Sequence, residues 1–410
     1  MILHFCFFVY LQIINHATLT FNIFIMRNLK QILVLLLISF PLILSAQSSK
    51  SFKYEYPVEI DWDNPTSASN VRDICFSPKT SSESDVYLAV AHNNGYISMF
   101  VNDNFIKPSE RNILRQKIHF NLYLNKDLAT QEEQKLNKIQ GLLQFSSDGK
   151  YLFSGGWVFY SKIKSAFCSM IYIFDVEKMN LKNSSVYDQT PHDYKVMSVD
   201  GLITRFVLSP DNKKVLVHHE LDNKMILISI YDVETMTKEW SMVCKSDIMD
   251  LTFGKDNSTI YYAQGKEIIQ YSVTENKVLK TYTLKKNDVC RLYYSRNTLI
   301  CSDFLNKLFY WNVDKSDKPS EIKTETYITE IQYVTGSMLL TMSGYFVGDG
   351  NGNIYEVNLY DKKIYPVKWT YQCESCPFVK RITMSGNGRM FGYFNNENGI
   401  SIYTNYSPFN

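Results

Sequence analysis

The sequence contains no block of like charge. Its 43 basic and 41 acidic residues are mixed along 410 positions, and the formal net charge is only +2. A broad basic surface of the kind that binds nucleic acid is therefore not expected, and we predict no nucleic-acid partner. Charged residues make up only 20% of the chain, whereas aromatic residues reach 14%. This aromatic content is typical of many half-buried strands.

Common catalytic and metal-binding motifs are also missing. The chain has no G-x-S-x-G nucleophile elbow and no phosphate-binding P-loop. Its histidines do not follow the spacing of a metal cluster, and His218 and His219 end an apolar run where at least one must face solvent. We therefore expect no catalytic residue, no metal and no cofactor.

An apolar segment near the N-terminus indicates the secretory route. Arg27 and Lys30 form a short basic start, residues 32–44 are nearly all apolar, and Ala46 precedes Gln47. A basic start, an apolar core and a small residue before the cut describe a secretory signal peptide, and this core is short for a membrane span. We assign residues 1–50 to a presequence and residues 51–410 to the folded domain.

Three alternatives for the presequence stay open. Residues 1–25 form a second apolar stretch without Lys or Arg, which makes Met26 a candidate true start. An uncleaved signal anchor, or a two-span hairpin that starts at Met1, are the other interpretations. We predict a protein that is secreted or lies in the lumen of the secretory pathway, with a membrane-anchored form as the alternative.

On the predicted secretory route, the cysteines and sequons lie in an oxidising compartment. Seven cysteines remain without Cys6, and an odd number leaves at least one thiol unpaired. Cys75 and Cys290 lie within apolar runs, where a small buried thiol is expected. Three sequons, which begin at Asn183, Asn257 and Asn405, are candidate glycosylation sites.

Cys373 and Cys376 form the one local pattern that suggests redox chemistry. Pro377 and strand-like sequence follow them, whereas a redox C-x-x-C motif needs its first cysteine near a helix N-terminus. A disulfide that staples a loop is favoured over unpaired thiols and over redox activity.

Short apolar runs recur along the remainder of the chain. Residues 203–240 contain three of them, separated by Asn and Asp, as in antiparallel strands joined by tight turns. Similar units open at Val71, Ile139, Ile203, Ile248, Val289, Ile328 and Val379. The shorter intervals match the roughly 40–45 residues of a four-stranded propeller blade. Insertions explain the longer ones, at residues 102–138 in the first repeat, where 126–138 has a helical pattern, and at 157–168 and 179–201 in the second.

The two ends of the chain complement each other. The last repeat supplies only three strands, and residues 52–62 alternate like a single strand. Pairing this N-terminal strand with the last blade closes the ring and removes an open sheet edge. We therefore predict an all-β fold, a seven-bladed β-propeller closed in this way.

Recurrent short motifs support this fold. Each inner run ends in a turn signal, as in Phe76-Ser77-Pro78, Phe145-Ser146-Ser147-Asp148-Gly149 and Leu208-Ser209-Pro210-Asp211. Third runs end in Phe174-Asp175, Tyr231-Asp232 and Trp311-Asn312, and elsewhere in Tyr271-Ser272, Val357-Asn358 and Tyr403-Thr404. The pattern resembles the WD40 family over roughly residues 52–403, with degenerate repeats that lack its Gly-His signature.

The resemblance implies a partner-binding face at the mouth of the central channel. In WD40 proteins, the residues just after the first apolar residue of each inner strand often line this face. The matching pairs are Arg72-Asp73, Gln140-Gly141, Thr204-Arg205, Met249-Asp250, Cys290-Arg291, Thr329-Glu330 and Lys380-Arg381. The candidate binding residues are Arg72, Arg205, Arg291, Lys380 and Arg381. Because Asp73, Asp250 and Glu330 share the second column with three arginines, an internal ring of ion pairs is an equally good interpretation.

One further stretch offers oxygen ligands. Residues 349–353, Asp-Gly-Asn-Gly-Asn, together with Glu356 have side chains that suit calcium. Asn-Gly-rich sequence between two strands is first of all a hairpin turn, and this interpretation is favoured.

These observations favour a non-catalytic binding or scaffold propeller that mediates protein–protein interaction. A protein partner is expected, and membrane contact only through an uncleaved N-terminal segment. The alternatives are a propeller enzyme, hydrolase or oxidoreductase, with its site in the central channel, and a membrane-anchored lumenal subunit of a larger complex. A convergent cluster of His, Asp or Glu at one channel mouth would favour the enzyme.

Overall fold

Short apolar runs separated by turn residues fold into antiparallel sheets. In the third repeat, Val215, Leu216 and Val217 of the second strand are all 0% exposed. Both faces of this strand are therefore covered by neighbouring sheets. The outermost strand of the same repeat instead alternates between exposed and half-buried positions, as expected when only one face is covered.

A computed structural model describes residues 56–57, 59–61, 71–78, 86–92, 96–102, 113–121, 141–161, 166–179, 194–334, 344–367, 379–386, 390–395 and 399–404. They all lie in the compact unit Lys53–Asn410. Every regular element among them is a β-strand, and seven sheets form a seven-bladed β-propeller.

The first four blades contain the following strands, from the innermost outwards. Blade one contains β3 (Val71–Phe76), β4 (Tyr87–His92), β5 (Tyr96–Asn102), β6 (Ile113–Asn121) and β2 (Glu59–Asp61). Blade two contains β7 (Leu142–Phe145), β8 (Tyr151–Ser161), β9 (Ala166–Asp175) and β10 (Tyr194–Asp200). Blade three contains β11 (Leu202–Leu208), β12 (Lys214–Glu220), β13 (Ile226–Asp232) and β14 (Lys238–Cys244). Blade four contains β15 (Asp250–Phe253), β16 (Thr259–Gln264), β17 (Glu267–Ser272) and β18 (Lys277–Thr283).

The last three blades follow the same order. Blade five contains β19 (Val289–Ser295), β20 (Thr298–Asp303), β21 (Lys307–Asn312) and β22 (Ser320–Lys323). Blade six contains β23 (Ile328–Val334), β24 (Gly344–Asp349), β25 (Ile354–Asn358) and β26 (Lys363–Pro366). Blade seven contains β27 (Val379–Met384), β28 (Met390–Asn395), β29 (Gly399–Thr404) and β1 (Tyr56–Pro57).

The two ends of the chain close the ring. Tyr56 pairs with Thr404 and Pro57 with Tyr403 in an antiparallel ladder, so the N-terminal strand completes the last blade as predicted. The inner strand β27 of blade seven also contacts β3 of blade one. The backbone N–H of Phe76 donates to Thr383 Oγ1 at 2.8 Å across this junction.

The N-terminal segment nevertheless differs from the single strand that its alternation predicts. It contains two short strands, and the second, β2, pairs in parallel with β6 of blade one, with Glu59 opposite Ile113. Pro57 has no backbone N–H to extend the ladder of blade seven. The chain then covers the outer edge of blade one, which has five strands as a result.

Blade two also differs from the sequence-based prediction. Much of the predicted insertion at 157–168 continues the hairpin of β8 and β9, with Trp157 opposite Met170 and Ser161 opposite Ala166. The second predicted insertion contains β10, the fourth strand of the blade. The predicted helix at 126–138 lies outside the described residues.

The apolar core lies between adjacent blades. Phe153 of blade two packs with Phe206 of blade three, and Trp311 of blade five packs with Tyr261 and Tyr282 of blade four. Each sheet buries its two faces against its neighbours, as the recurrence of the repeats requires. This arrangement fixes the inner strands around the channel.

Candidate functional site at the channel mouth

Bulges near the start of the inner strands build the channel mouth. In five of the seven inner strands, the pairing register shifts just after the first apolar residue of the predicted repeat. The shifts lie between Val71 and Asp73, Ile203 and Arg205, Val289 and Arg291, Ile328 and Glu330, and Val379 and Arg381. A bulge places two residues of one strand opposite a single residue of the partner strand, and it changes the direction of the side chains beside it. The two predicted columns are thus the bulged residue and the residue that follows it.

The second column brings six charged residues together, and we name it the charged ring. Its members are Asp73, Arg205, Asp250, Arg291, Glu330 and Arg381. Arg205 Nε lies 2.6 Å from Asp250 Oδ1, across blades three and four. Arg291 Nε donates to the carbonyl oxygen of Thr329 in blade six at 2.6 Å.

Arg381 links four blades. Its Nε lies 3.5 Å from Asp73 Oδ1 of blade one, and its Nη1 lies 3.9 Å from Glu330 Oε1 of blade six. Its Nη2 also donates to the carbonyl oxygen of Leu143 in blade two at 3.0 Å. The guanidinium therefore bridges blades six, seven, one and two.

Two carboxylates of the ring bind backbone N–H groups in the same way. Asp73 Oδ1 accepts from Ile74 N at 2.9 Å, and its Oδ2 accepts from Leu143 N of the next blade at 2.8 Å. Asp250 Oδ1 accepts from Leu251 N at 2.8 Å, and its Oδ2 from Leu292 N of the next blade at 2.9 Å. These carboxylates connect neighbouring blades.

This repeated geometry corrects one predicted position. In blade five the carboxylate of the preceding blade binds Leu292, which directly follows the ring residue Arg291. In blade two it binds Leu143, so that Leu142 occupies the second column, not Gly141 as predicted. The sequence-based prediction was one residue out of register in this blade, because the contact with the preceding blade, and not the first apolar residue, defines the second column.

Burial affects the protonation of the ring. It raises the pKa of Asp73, although Arg381 and two backbone N–H groups lower it. Burial also raises the pKa of Glu330 against the opposing effect of Arg381. The ring is a desolvated set of ion pairs, whose carboxylates would be strongly destabilising without their cations.

The five cations predicted to line the mouth therefore divide into two groups. Arg205, Arg291 and Arg381 belong to the ring. Arg205 and Arg381 form ion pairs there, as the ion-pair interpretation predicts, whereas Arg291 donates to carbonyl oxygens. Arg72 is exposed and Lys380 is half-buried, with its Nζ 5.5 Å from the centroid of the Phe394 ring.

A cavity of about 570 Å³ extends from the ring along the channel. Asp73, Arg205 and Arg381 line one end, and the turns that follow the inner strands line the other, at Pro78, Ser147, Pro210 and Asn212. The ring thus lies between this cavity and the face on which the inner strands begin, which we name the mouth face.

The adjacent histidines of blade three have different environments. His219 is buried; its Nδ1 lies 2.6 Å from the carbonyl oxygen of Asp200, and its Nε2 lies 2.8 Å from Ser229 Oγ. Because a carbonyl only accepts, Nδ1 carries the proton and Nε2 accepts from the serine. His218 Nδ1 lies 2.6 Å from Thr204 Oγ1 at the mouth.

Burial lowers the pKa of His218 to about 4, and the neighbouring His219 contributes to this shift. A general base works best when its pKa lies near the operating pH. His218 is therefore a neutral hydrogen-bonding partner of Thr204 and a weak base.

The remaining polar motifs stabilise turns. Ser209 Oγ donates to Asp211 Oδ1 at 2.7 Å, and Ser146 Oγ donates to Asp148 Oδ1 at the same distance. At the end of the third strands, Asp232 Oδ1 accepts from Thr235 N at 2.8 Å, while Ser272 Oγ accepts from Glu275 N at 3.1 Å. Aspartate and serine thus occupy equivalent turn positions.

The Asp-Gly-Asn-Gly-Asn stretch is the predicted hairpin turn between β24 and β25. Asp349 Oδ1 accepts from Asn351 N at 2.9 Å and from Asn353 N at 2.8 Å. Its Oδ2 accepts from Asn353 Nδ2 at 3.1 Å and from the hydroxyl of Tyr355 at 3.3 Å. These contacts occupy the carboxylate.

Two of the cysteines and one of the sequons named in the sequence analysis lie within the described residues. Cys75 and Cys290 are buried thiols, as predicted. Asn257 is half-buried, and its Nδ2 donates to Asp211 Oδ2 of the preceding blade at 2.7 Å. Cys373, Cys376, Asn183 and Asn405 lie outside the described residues.

In the part of the chain that the structure describes, no group of three or more His, Cys, Asp or Glu side chains is placed to hold a metal ion. None of the described segments forms a helix with the length and hydrophobicity that a membrane span requires. Comparison with protein-family models and with curated protein sequences gives no match.

Proposed function

We propose that this chain is a non-catalytic, WD40-like propeller that binds a protein partner on its mouth face. The observation that carries this proposal is a group of exposed apolar side chains on three consecutive blades. We name it the apolar patch. It consists of Met225 (37% exposed), Val243 (59%), Met249 (37%), Phe304 (44%) and Leu305 (58%).

The topology places these side chains on one face. Met225, Phe304 and Leu305 lie in turns between second and third strands, and Met249 directly precedes the inner strand β15. Val243 lies near the end of β14, opposite Leu227 at the start of β13. Single exposed apolar residues are common, but several on one face beside polar groups are typical of interaction surfaces.

The turn geometry supports the resemblance to WD40 proteins. Buried Phe174, Tyr231 and Trp311 end third strands, as the Trp of a Trp-Asp dipeptide would. The polar residue that follows them is an aspartate or an asparagine, and Ser272 follows Tyr271 in blade four. Asp232 and Ser272 both accept a turn N–H. Because several residue types can fill each role, the fold tolerates large divergence of its repeats.

Cross-linking in extracts of the native host tests the partner surface. We expect Phe304→Ser and Leu305→Asp to reduce the yield of a specific cross-linked partner, because they replace apolar contact area. Val278→Asp and Leu279→Asp are matched controls, since these exposed residues lie at the start of β18, on the face opposite the mouth face. Equal yields for both pairs of variants would contradict the proposal.

A channel enzyme is the second candidate. Asp73 lines the cavity and burial raises its pKa, which is a feature of many acid–base residues. Both of its carboxylate oxygens accept backbone N–H groups, which supports a structural role instead. A hydrolase or dehydrogenase activity that is lost in Asp73→Asn, with unchanged melting temperature, would favour the enzyme.

We further propose that the domain functions outside the cytosol, after cleavage behind Ala46. Intact mass and N-terminal sequencing of the protein from its native host test this proposal. A mature start at Gln47 supports secretion, whereas a start at Met1 or Met26 supports an anchored subunit or a protein that never enters the lumen.

A further inference from the structure

The charged ring and the bulged residues beside it differ in their ion pairs. The ring contains three arginines and three carboxylates, which balance one another. Arg72 and Lys380, one position earlier in β3 and β27, add two positive charges at adjacent inner strands. Within the described residues, neither side chain forms a salt bridge.

The fold orients both cations. Arg72 is the bulged residue of β3, and its stem packs on Gly141, where an added Cβ would lie only 2.9 Å from Arg72 Cβ. Lys380 is the bulged residue of β27, and its ammonium lies 5.5 Å from the Phe394 ring centroid. A cation near an aromatic ring is held in place without losing its charge.

The two cations also influence each other. Burial lowers the pKa of Lys380, Asp73 opposes this shift, and the charge of Arg72 lowers the pKa further. Asp73 attracts Lys380, and it also binds Ile74, Leu143 and Arg381. An external anion that contacts both cations would reduce the repulsion that Lys380 experiences from Arg72.

We propose that Arg72 and Lys380 form an anion site that receives a carboxylate from an acidic segment of the protein partner. The inference rests on the proposed function of the mouth face. A carboxylate fits the planar donor fork of Arg72 and gains charge-assisted hydrogen bonds from both cations. The apolar patch on blades three to five lies on the same face, so one partner can place acidic residues at blades seven and one and apolar residues opposite.

Fluorescence anisotropy with a labelled, glutamate-rich decapeptide tests the site on the purified protein. We expect Arg72→Ala and Lys380→Ala each to weaken binding, and the double variant to weaken it by about tenfold. Lys315→Ala is the matched control, because Lys315 is exposed in the turn between β21 and β22, on the face opposite the mouth face. A glutamine-rich peptide of the same length should bind none of these proteins.

Three results would overturn the anion site. They are unchanged affinity in the double variant, an equal loss in Lys315→Ala, and binding of a phosphoserine peptide alone. Melting temperatures of all variants should match the wild type, because both side chains lie at the solvent boundary.

The partner cross-linking assay separates this inference from the proposed function. If the double variant leaves peptide affinity and partner cross-linking unchanged while Leu305→Asp removes the cross-link, the anion site is wrong and the binding function stands. If the double variant loses peptide affinity and the patch variants change nothing, the anion site stands and the apolar patch is wrong.

Discussion

Neighbouring positions in the same inner strands have different roles at the channel mouth. The ring residue Arg381 contacts carboxylates of blades one and six, whereas Lys380, which precedes it, packs on an aromatic ring beside the exposed Arg72. The bulge separates the two roles, because it sends one side chain into the ring and leaves the other near solvent. A shift of one position thus decides whether a positive charge contacts carboxylates of other blades or lies near solvent.

The largest expected effect comes from removing the central cation of the ring. Arg381→Ala leaves Asp73 and Glu330 buried without their shared partner, which should lower the free energy of unfolding by roughly 3–5 kcal/mol. Urea unfolding followed by circular dichroism measures this loss. A loss below about 1 kcal/mol would show that the ring contributes little to blade association.

A smaller effect is expected from crowding the ring. Gly348 pairs with Glu330, and an added Cβ would lie 2.5 Å from Val379 Cβ of blade seven. Gly348→Ala should therefore separate blades six and seven and cost about 1–3 kcal/mol of the free energy of unfolding. An unchanged melting temperature would contradict this tight packing.

The pH dependence of the free energy of unfolding tests the environment of His218 at the channel mouth. The pKa of His218 falls from 6.5 to about 4 on folding, so the unfolded chain binds the proton more readily. Stability from this residue is complete above pH 6.5 and is lost as the pH falls towards 4, by roughly 1–2 kcal/mol at pH 5 after allowance for solvent screening.

His218→Gln provides the control for this pH dependence. The difference between wild type and variant in unfolding free energy, measured at pH 7 and pH 5, removes the contributions of other groups. An identical pH dependence for both proteins would show that His218 is accessible to protons in the fold.

The smallest expected effect on the free energy of unfolding comes from removing Arg72, which lies beside the charged ring. Arg72→Ala should change the free energy of unfolding by no more than about 0.5 kcal/mol, because this side chain is exposed and forms no salt bridge with a described residue. Differential scanning calorimetry beside Arg381→Ala gives the direct contrast. Similar losses in the two variants would remove the distinction between ring and mouth.

Much of the fold was predictable because each blade is a local unit. Strand starts at Val71, Val289, Ile328 and Val379 agree with the structure, since each follows turn residues and opens an apolar run. The division of the N-terminal segment into β1 and β2 was not predictable, because it depends on which sheet edges are open after the ring closes. The extended hairpin of blade two was missed for a related reason, since long-range pairing outweighs local propensity.

The candidate site was only partly predictable. The two columns of the site are the two positions that follow the first apolar residue of each inner strand. A single sequence shows these positions. The second column contains both arginines and acidic residues, so a partner-binding face and an internal ring of ion pairs were both open interpretations. Ion pairs such as Arg205–Asp250 support the internal ring. The apolar patch carried no sequence signal, because exposure of Met225 or Leu305 depends on how the blades meet.

The sequence by itself determined the number of blades, their strand pattern and the pairing of the two ends, because turn residues and apolar periodicity act over a few residues. Tertiary structure alone decided which charges at the mouth are neutralised. An ion pair between blades depends on a separation of a few ångströms across the ring, and bulges and neighbouring sheets set that separation.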